Sequence, residues 1–242
     1  MIFNNTDPAI RNGIVQVLED LTSTQSASTS SYPLATKTRD INMAFDDYQT
    51  IVTEASGTWQ LDDSNHTKYP NMKFNLVSGQ QDYSFTEDEQ GNQVQDIYRV
   101  ECKDANGVWQ LLKAYDEQSE TESMSARELL TGTPTRYYKT ANGIFLDFTP
   151  NYNSTLGIRM FFTRSPNYFA TSDTTKEPGI PNAHHRYLAV KPAYWYWLPK
   201  DSQRASLYFA ELQKIEKMIS DSVSQRVRDE RPRLIANIEN NK

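Results

Sequence analysis

Apolar residues recur at helical spacing near the start of the chain and predict two helices. The first is expected to begin near Pro8, because proline is favoured at the first helical position and Thr6 or Asp7 can cap it. The second is expected from about residue 38 to 55, where Gly57 ends it. The two stripes consist of Ile10, Ile14, Val17, Leu18 and Leu21, and of Ile41, Ala44, Phe45, Tyr48, Ile51, Val52 and Ala55. The two helices are expected to pair.

Two more helices are predicted near the other end. The stiff segment 177–181 leads into a helix that begins near Asn182 and stops at Pro199. A last long helix follows, with Asp201 or Ser202 as its cap. Its apolar stripe is Tyr208, Leu212, Ile215, Ile219 and Val223. Pro232 is expected to break it.

Between these helical regions, apolar and polar residues alternate as they do in β-strands. Asn106-Gly107 and Asn142-Gly143 each separate two such runs, and Asn-Gly tolerates the positive φ angles of a tight hairpin turn. A further strand at 158–163 is expected to complete an antiparallel meander. In the first hairpin, the alternation places Tyr98, Val100 and Cys102 on one face of the strand.

These patterns predict an α+β protein. The N-terminal and C-terminal helices are expected to form a helical bundle, with an inserted antiparallel β-sandwich-like domain. The expected boundaries are 1–57 for the N-terminal helices, 58–165 for the β domain, 166–231 for the closing helices and 232–242 for a C-terminal tail. The hydroxyl-rich stretch 22–31 is expected to be an irregular linker.

Composition narrows the class of protein. Of the 242 residues, 28 are aromatic, so the chain is expected to fold. The single cysteine excludes an internal disulfide. The longest apolar run is far shorter than the about 20 residues that span a bilayer, and the start lacks the pattern of a secretory signal. No membrane association is predicted.

The charge is unevenly distributed. The net charge of −6 argues against a general basic surface that grips nucleic acid. From residue 82 to 128 there are twelve acidic and four basic residues, whereas 200–242 holds nine basic and seven acidic. This asymmetry suggests two differently charged faces or ends.

Candidate catalytic chemistry is sparse. Adjacent His184 and His185 point about 100° apart on a helix, so a metal site is not expected, and one of them should face solvent or a neighbour. Cys102 is expected to fill the core. Asp62 and Asp63 lack the rest of a calcium loop. The sequence therefore predicts no catalytic, cofactor or metal site.

The C-terminal tail combines cations with apolar residues beyond the expected helix break. These are Arg226, Arg228, Arg231, Arg233, Leu234, Ile235 and Ile238. One interpretation is a frayed end. The other is a docking peptide, whose arginines pair with carboxylates while its branched residues enter a groove.

The order of elements resembles that of the head-to-tail adaptor proteins of tailed bacteriophages, also called head-completion or tail tubular proteins. The similar segments are 58–65, 77–85 with Gly-Gln-Gln-Asp-Tyr, 134–150 with the second Asn-Gly hairpin, and 177–181 followed by His185. Together they extend over most of 1–230, and their order carries the resemblance. The acidic stretch 116–128 departs from that pattern.

The resemblance implies a virion protein of the capsid portal vertex and neck, assembled in the host cytoplasm and without enzymatic activity or cofactors. It implies a homo-oligomeric ring, usually a dodecamer, that docks under the portal protein through its C-terminal segment. The ring would contact a downstream tail or nozzle protein. Double-stranded DNA would pass through its lumen without specific binding.

Two physical arguments agree with these expectations. Net acidity suits a DNA channel, because tight phosphate binding would stall transit. A head-to-tail ring needs two unlike, complementary patches on each subunit. The alternative is a β-sandwich recognition module for carbohydrate or a host surface, and a third possibility is a hydrolase built on carboxylates such as Asp62 and Asp63.

Overall fold

The computed structural model describes residues 1–5, 13–24, 31–56, 71–84, 87, 94–115, 129–140 and 143–230, with the backbone alone for Asn71 and for 225–230. The chain divides into two compact units. One consists of Met1–Trp59 together with Tyr168–Lys242, and the other is Gln60–Asn167. The first holds the helices and the second the strands, so the protein belongs to the α+β class, as predicted.

The helical unit is organised around its third helix. Its described α-helices are α1 Ile14–Thr22, α2 Leu34–Ser56, α3 Tyr187–Trp197 and α4 Ser202–Glu230, with a 3₁₀ turn at Asn182–His184 before α3. Helix α3 packs against each of the other three. The expected pairing of α1 with α2 is only a minor contact, since α1 packs mainly on α3.

The predicted helix positions hold with local differences. Helix α2 begins four residues earlier than expected, because the Pro33 carbonyl accepts hydrogen bonds from the N–H groups of Thr36 and Lys37 and starts the first turn there. Asp201 caps α4 as predicted: its carboxylate accepts bonds from the backbone N–H groups of Gln203 and Arg204. Helix α1 begins at Ile14 and not near Pro8, because Gly13 is extended and directly precedes the first helical turn. The expected caps Thr6 and Asp7 lie outside the described residues.

The β unit contains one curled, mixed sheet. Its described strands are β1 Asn71–Leu76, β2 Asp82–Ser84, β3 Val94–Lys103, β4 Trp109–Ala114, β5 Arg136–Thr140, β6 Gly143–Leu146 and β7 Ser154–Arg164. They lie in the order β1-β7-β3-β4-β5-β6-β2. The inner face holds the core of the unit, formed by residues such as Val100, Leu146, Ile158 and Met160.

Both predicted hairpins are confirmed, but their assembly differs from the prediction. β3 pairs with β4 across a turn in which Gly107 has φ +81°, and β5 pairs with β6. The meander is wrong, because β7 lies between β1 and β3 instead of beside β6. The expectation of a purely antiparallel sheet is also wrong, since β4 and β5 run parallel. The sandwich-like arrangement is not confirmed.

A bulge changes which side chains β3 presents on each face. The register between β3 and β7 shifts between Ile97 and Arg99. Ile97 is therefore buried and Tyr98 is exposed, whereas simple alternation had placed Tyr98 beside Val100 and Cys102. After the bulge, Arg99, Glu101 and Lys103 occupy the outer face.

Candidate functional site

The predicted docking segment begins at the end of α4. Arg226 and Arg228 belong to this helix, but their side chains are not among those described. Arg231, Arg233, Leu234, Ile235 and Ile238 lie outside the described residues. The docking role of the segment stays a prediction.

Helix α4 has apolar residues on more than one side. Ala205, Leu212, Ile215, Ile219 and Val223 form its buried side, which agrees with the predicted stripe. Leu207, Phe209 and Met218 are exposed, and Leu207 retains 71% of its accessible surface. Leu207 and Met218 lie three turns apart on the same side of the helix.

The two adjacent histidines are both buried, so of the two expected surroundings, solvent or a neighbour, solvent is excluded. His184 lies 2.8 Å through Nδ1 from the Tyr48 hydroxyl and 3.2 Å through Nε2 from Oγ of Ser222. His185 contacts the backbone nitrogen of Met1 through Nδ1 and the Ile180 carbonyl through Nε2. Every ring nitrogen of the pair thus has a protein partner, and His184 links α2 to α4.

Burial gives the helical unit a pH dependence. It lowers the pKa of both His184 and His185. The unfolded chain takes up protons on these rings as the pH falls below about 6.5, but the folded chain resists protonation. The free energy of unfolding should therefore decrease on acidification, by at most about 1.4 kcal/mol per pH unit for each ring.

Replacing His184 by Gln should flatten this dependence. Urea unfolding at pH values from neutral to mildly acidic, followed by the helical circular dichroism signal, measures the slope. Gln keeps a hydrogen-bonding side chain but does not titrate. The slope of unfolding free energy against pH should therefore decrease by the contribution of one histidine. An unchanged slope in the variant would show that His184 does not contribute.

Cys102 fills the β core, as predicted. Burial raises the pKa of its thiol to about 11, so the reactive thiolate is scarce at neutral pH. Among the described residues, no cluster of three or more His, Cys, Asp or Glu is arranged to hold a metal ion. Asp62, Asp63 and His66 lie outside the described residues.

A row of cations and aromatic rings occupies the outer face of the β unit. We call this the basic–aromatic face and define it by Lys73, Arg99, Lys103, Trp109, Lys113, Arg159 and Phe161. Strand register brings them together: Lys73 is opposite Arg159, Arg99 is opposite Phe161, and Lys103 is opposite Trp109. Lys113 follows Trp109 on the same side of β4.

Aromatic rings fix the positions of these cations. The Arg159 guanidinium carbon lies 4.5 Å from the centroid of the Trp109 ring, and Nζ of Lys103 lies 5.0 Å from the same ring. Arg99 and Arg159 also approach the Phe161 ring, at 5.7 and 5.3 Å. Such cation–π contacts hold the charged groups at defined places on the sheet.

One buried carboxylate lies between the two arginines. Glu101 accepts a hydrogen bond of 2.6 Å from Nε of Arg99 and one of 2.8 Å from Nε of Arg159, and it forms a salt bridge with each. Burial by itself would raise the pKa of Glu101, but the bonds and charges of Arg159 and Arg99 outweigh it and lower that pKa. The carboxylate thus orients both guanidinium groups.

The sequence-based interpretation missed this face. The signal present in the sequence was the alternation of Arg99, Glu101 and Lys103 in β3. These residues form a larger surface row because the neighbouring strand β7 contributes Arg159 and Phe161. That pairing joins strands more than 50 residues apart in sequence, so local pattern does not show it.

The helical unit also carries two open grooves along α2. One, of about 530 Å³, is lined by residues such as Asn42, Asp46 and Tyr168, and the other, of about 610 Å³, includes Tyr32 and Tyr196. The Tyr168 hydroxyl donates a hydrogen bond to Asp46, and the Tyr32 hydroxyl donates one to Asp40. These tyrosines therefore already have carboxylate partners.

No protein-family model matches the chain, and no curated protein sequence matches it either. No helix within the described part of the chain combines the length and apolar character needed to cross a bilayer.

Proposed function

We propose that this protein is a structural head-to-tail connector of a tailed-phage virion. It forms a homo-oligomeric ring, a dodecamer, that docks under the portal protein at the capsid vertex. The ring links the portal to a downstream tail or nozzle protein and continues the DNA channel. In this proposal the protein has a structural role and catalyses no reaction.

The arrangement of the helical unit carries the proposal. Helix α3 packs against α1, α2 and α4, so segments from both ends of the chain close one unit, and the strands lie between them in sequence. This order supports a helical bundle with an inserted β domain, which is the arrangement that the resemblance to phage adaptors implies. In the ring, the helical unit would surround the channel.

The outer side of α4 suits a contact between subunits or with the portal. Leu207 and Met218 expose apolar surface on one side of the helix, and neighbouring proteins would cover it. The same helix leads into Arg226 and Arg228 and then into the predicted docking tail. Arginines there would pair with portal carboxylates while Ile235 and Ile238 enter an apolar groove.

Deleting residues 229–242 should abolish binding to the portal protein of the same virus and leave the chain folded. The last described buried residue of α4 is Val223, so the helical unit should keep its melting temperature within about 2 °C. Co-sedimentation with the portal measures binding, and electron microscopy of the mixture shows whether rings form.

Matched substitutions separate apolar docking from charge. Ile235→Asp with Ile238→Asp should weaken portal binding about 100-fold, because two carboxylates would have to enter an apolar groove. Asn237→Asp with Asn240→Asp adds the same charge at polar positions and should weaken binding far less. Full portal binding by the truncated chain would reject the docking tail, and single copies in mature particles would reject the ring.

The second candidate, a recognition module for carbohydrate or a host surface, is favoured by the aromatic residues on the outer sheet face. Tyr98 is exposed, and Trp109 and Phe161 are partly exposed. Sugars stack on open aromatic faces, however, and here Lys103 and Arg159 lie over the Trp109 ring. Glycan-array binding that is lost in Trp109→Ala would favour this candidate over the connector.

A further inference from the structure

We infer that the basic–aromatic face binds the acidic segment 116–128 of a second copy of this chain. The inference rests on the proposed ring and specifies one of its subunit contacts. Two observations lead to it: an excess of positive charge on one sheet face, and an equal excess of negative charge in the segment that joins β4 to β5.

The face is strongly basic within an acidic part of the chain. Its cations are Lys73, Arg99, Lys103, Lys113 and Arg159, and Glu101 neutralises one of them, which leaves four positive charges. The face lies on strands β1, β3, β4 and β7. The other carboxylate on these strands, Asp96, forms a salt bridge of 2.9 Å with Lys139. The cations therefore form a patch with a net attraction for carboxylates.

The acidic segment matches this charge. Residues 116–128 contain Asp116, Glu117, Glu120, Glu122 and Glu128 with Arg127 as the one cation, which gives four negative charges. The four net negative charges of the segment equal the four net positive charges of the face. Guanidinium groups fixed by Glu101 and by aromatic rings lose little freedom when they bind carboxylates, which favours affinity.

Exposed leucines supply an apolar match beside the charges. Leu129 directly follows the segment and retains 84% of its accessible surface, and Leu130 is exposed as well. On the face, Leu111 lies opposite Glu101 and retains 57% of its surface. All three leucines are exposed in the described part of the chain, and a contact between two copies would cover them together.

The two surfaces also satisfy the geometry of a ring. A closed ring built from head-to-tail contacts needs two different patches on each subunit, so that each copy binds the next. Here one patch is a rigid sheet face and the other is a charged segment of the same unit. Both lie within Gln60–Asn167, and each is complementary to the other instead of to itself.

A protein segment suits the face better than a nucleic acid does. Single strands bind by stacking bases on open aromatic rings. Here the cations themselves occupy the rings: Arg159 and Lys103 lie near Trp109, and Arg99 lies near Phe161. A carboxylate can reach these cations without displacing them from the rings.

The test uses the full chain and a synthetic peptide of residues 114–130. Fluorescence anisotropy should show saturable peptide binding that weakens with salt. In the variant Lys73→Glu with Lys113→Glu the affinity should fall about ten-fold or more. These exposed lysines form no salt bridge among the described residues, so their replacement removes no ion pair of the described fold, and circular dichroism should show an unchanged melting temperature. Lys214→Glu with Lys217→Glu gives the same charge change on α4 and should bind the peptide normally.

A charge exchange tests whether the contact joins two copies. Analytical ultracentrifugation should show salt-sensitive association of the unchanged chain. The face variant alone, and a segment variant Glu117→Lys, Glu120→Lys and Glu122→Lys alone, should each associate more weakly. An equal mixture of the two variants, or one chain carrying all five changes, should recover association, because opposite charges face each other again.

Several outcomes would overturn the inference. One is an unchanged chain that stays monomeric at all concentrations and does not bind the peptide. A second is that the charge exchange does not restore association. A third is that the unchanged chain binds a single-stranded oligonucleotide but not the peptide, and that the face variant loses this oligonucleotide binding. The portal protein takes no part in these measurements, so loss of portal docking would reject the connector without affecting this contact, and the reverse also holds.

Discussion

Replacing Glu19 by Gln should lower the free energy of unfolding of the helical unit by about 3–5 kcal/mol. Lys37 is fully buried, and its ammonium group lies 2.8 Å from the Glu19 carboxylate. The Tyr32 ring also lies near this ammonium group, with its centroid 5.7 Å from Nζ. The substitution removes the countercharge and leaves a buried cation, which is the costly way to break such a pair. Urea unfolding followed by helical circular dichroism measures the loss.

Two further variants isolate the cause. Glu211→Gln makes the same chemical change in the pair between Arg186 and Glu211, which is far more exposed, and should cost at most about 1 kcal/mol. Combining Glu19→Gln with Lys37→Met removes the buried cation as well and should recover most of the lost stability. Equal losses in Glu19→Gln and Glu211→Gln, or no recovery in the double variant, would contradict the explanation.

Lys37 also illustrates where sequence reasoning about the helices reaches its limit. The apolar stripe of α2, with Ile41, Phe45 and Tyr48, was predictable because a 3.6-residue period follows from helix geometry alone. A lysine in the first turn reads as a solvated position. It becomes a core residue only because Glu19 of α1 supplies its partner, and no local pattern specifies that partner.

The strands show the same division between local and distant information. Asn106-Gly107 and Asn142-Gly143 predicted both hairpins, since turn propensity is contained within a few residues. Strand order was not predictable: β7 pairs with β1 and β3, and β4 pairs with β5 in parallel, through contacts between distant parts of the chain. The basic–aromatic face depends on that strand order. Predicting each strand correctly was therefore not enough to predict the face.

The last prediction concerns a carboxylate that joins β5 to the end of β6. Asp147 is fully buried, and one of its oxygens accepts hydrogen bonds from the backbone N–H groups of Thr135 and Arg136, at 2.9 and 3.0 Å. Its other oxygen accepts a bond of 2.7 Å from the Thr135 hydroxyl. Asp147→Ala would leave these donors without their acceptor and should cost the β unit about 2–4 kcal/mol.

Hydrogen exchange distinguishes this cause from a general loss of packing. The amides of Thr135 and Arg136 should exchange faster in Asp147→Ala, and by a larger factor than the amides of β3 and β7 at the centre of the sheet. Asp147→Asn keeps one acceptor oxygen for the two backbone groups and should lose roughly half as much stability. Thr135→Val removes only the hydroxyl bond and should cost about 1 kcal/mol. If Asp147→Asn were as damaging as Asp147→Ala, the charge of the carboxylate and not its hydrogen-bonding geometry would stabilise this corner of the sheet.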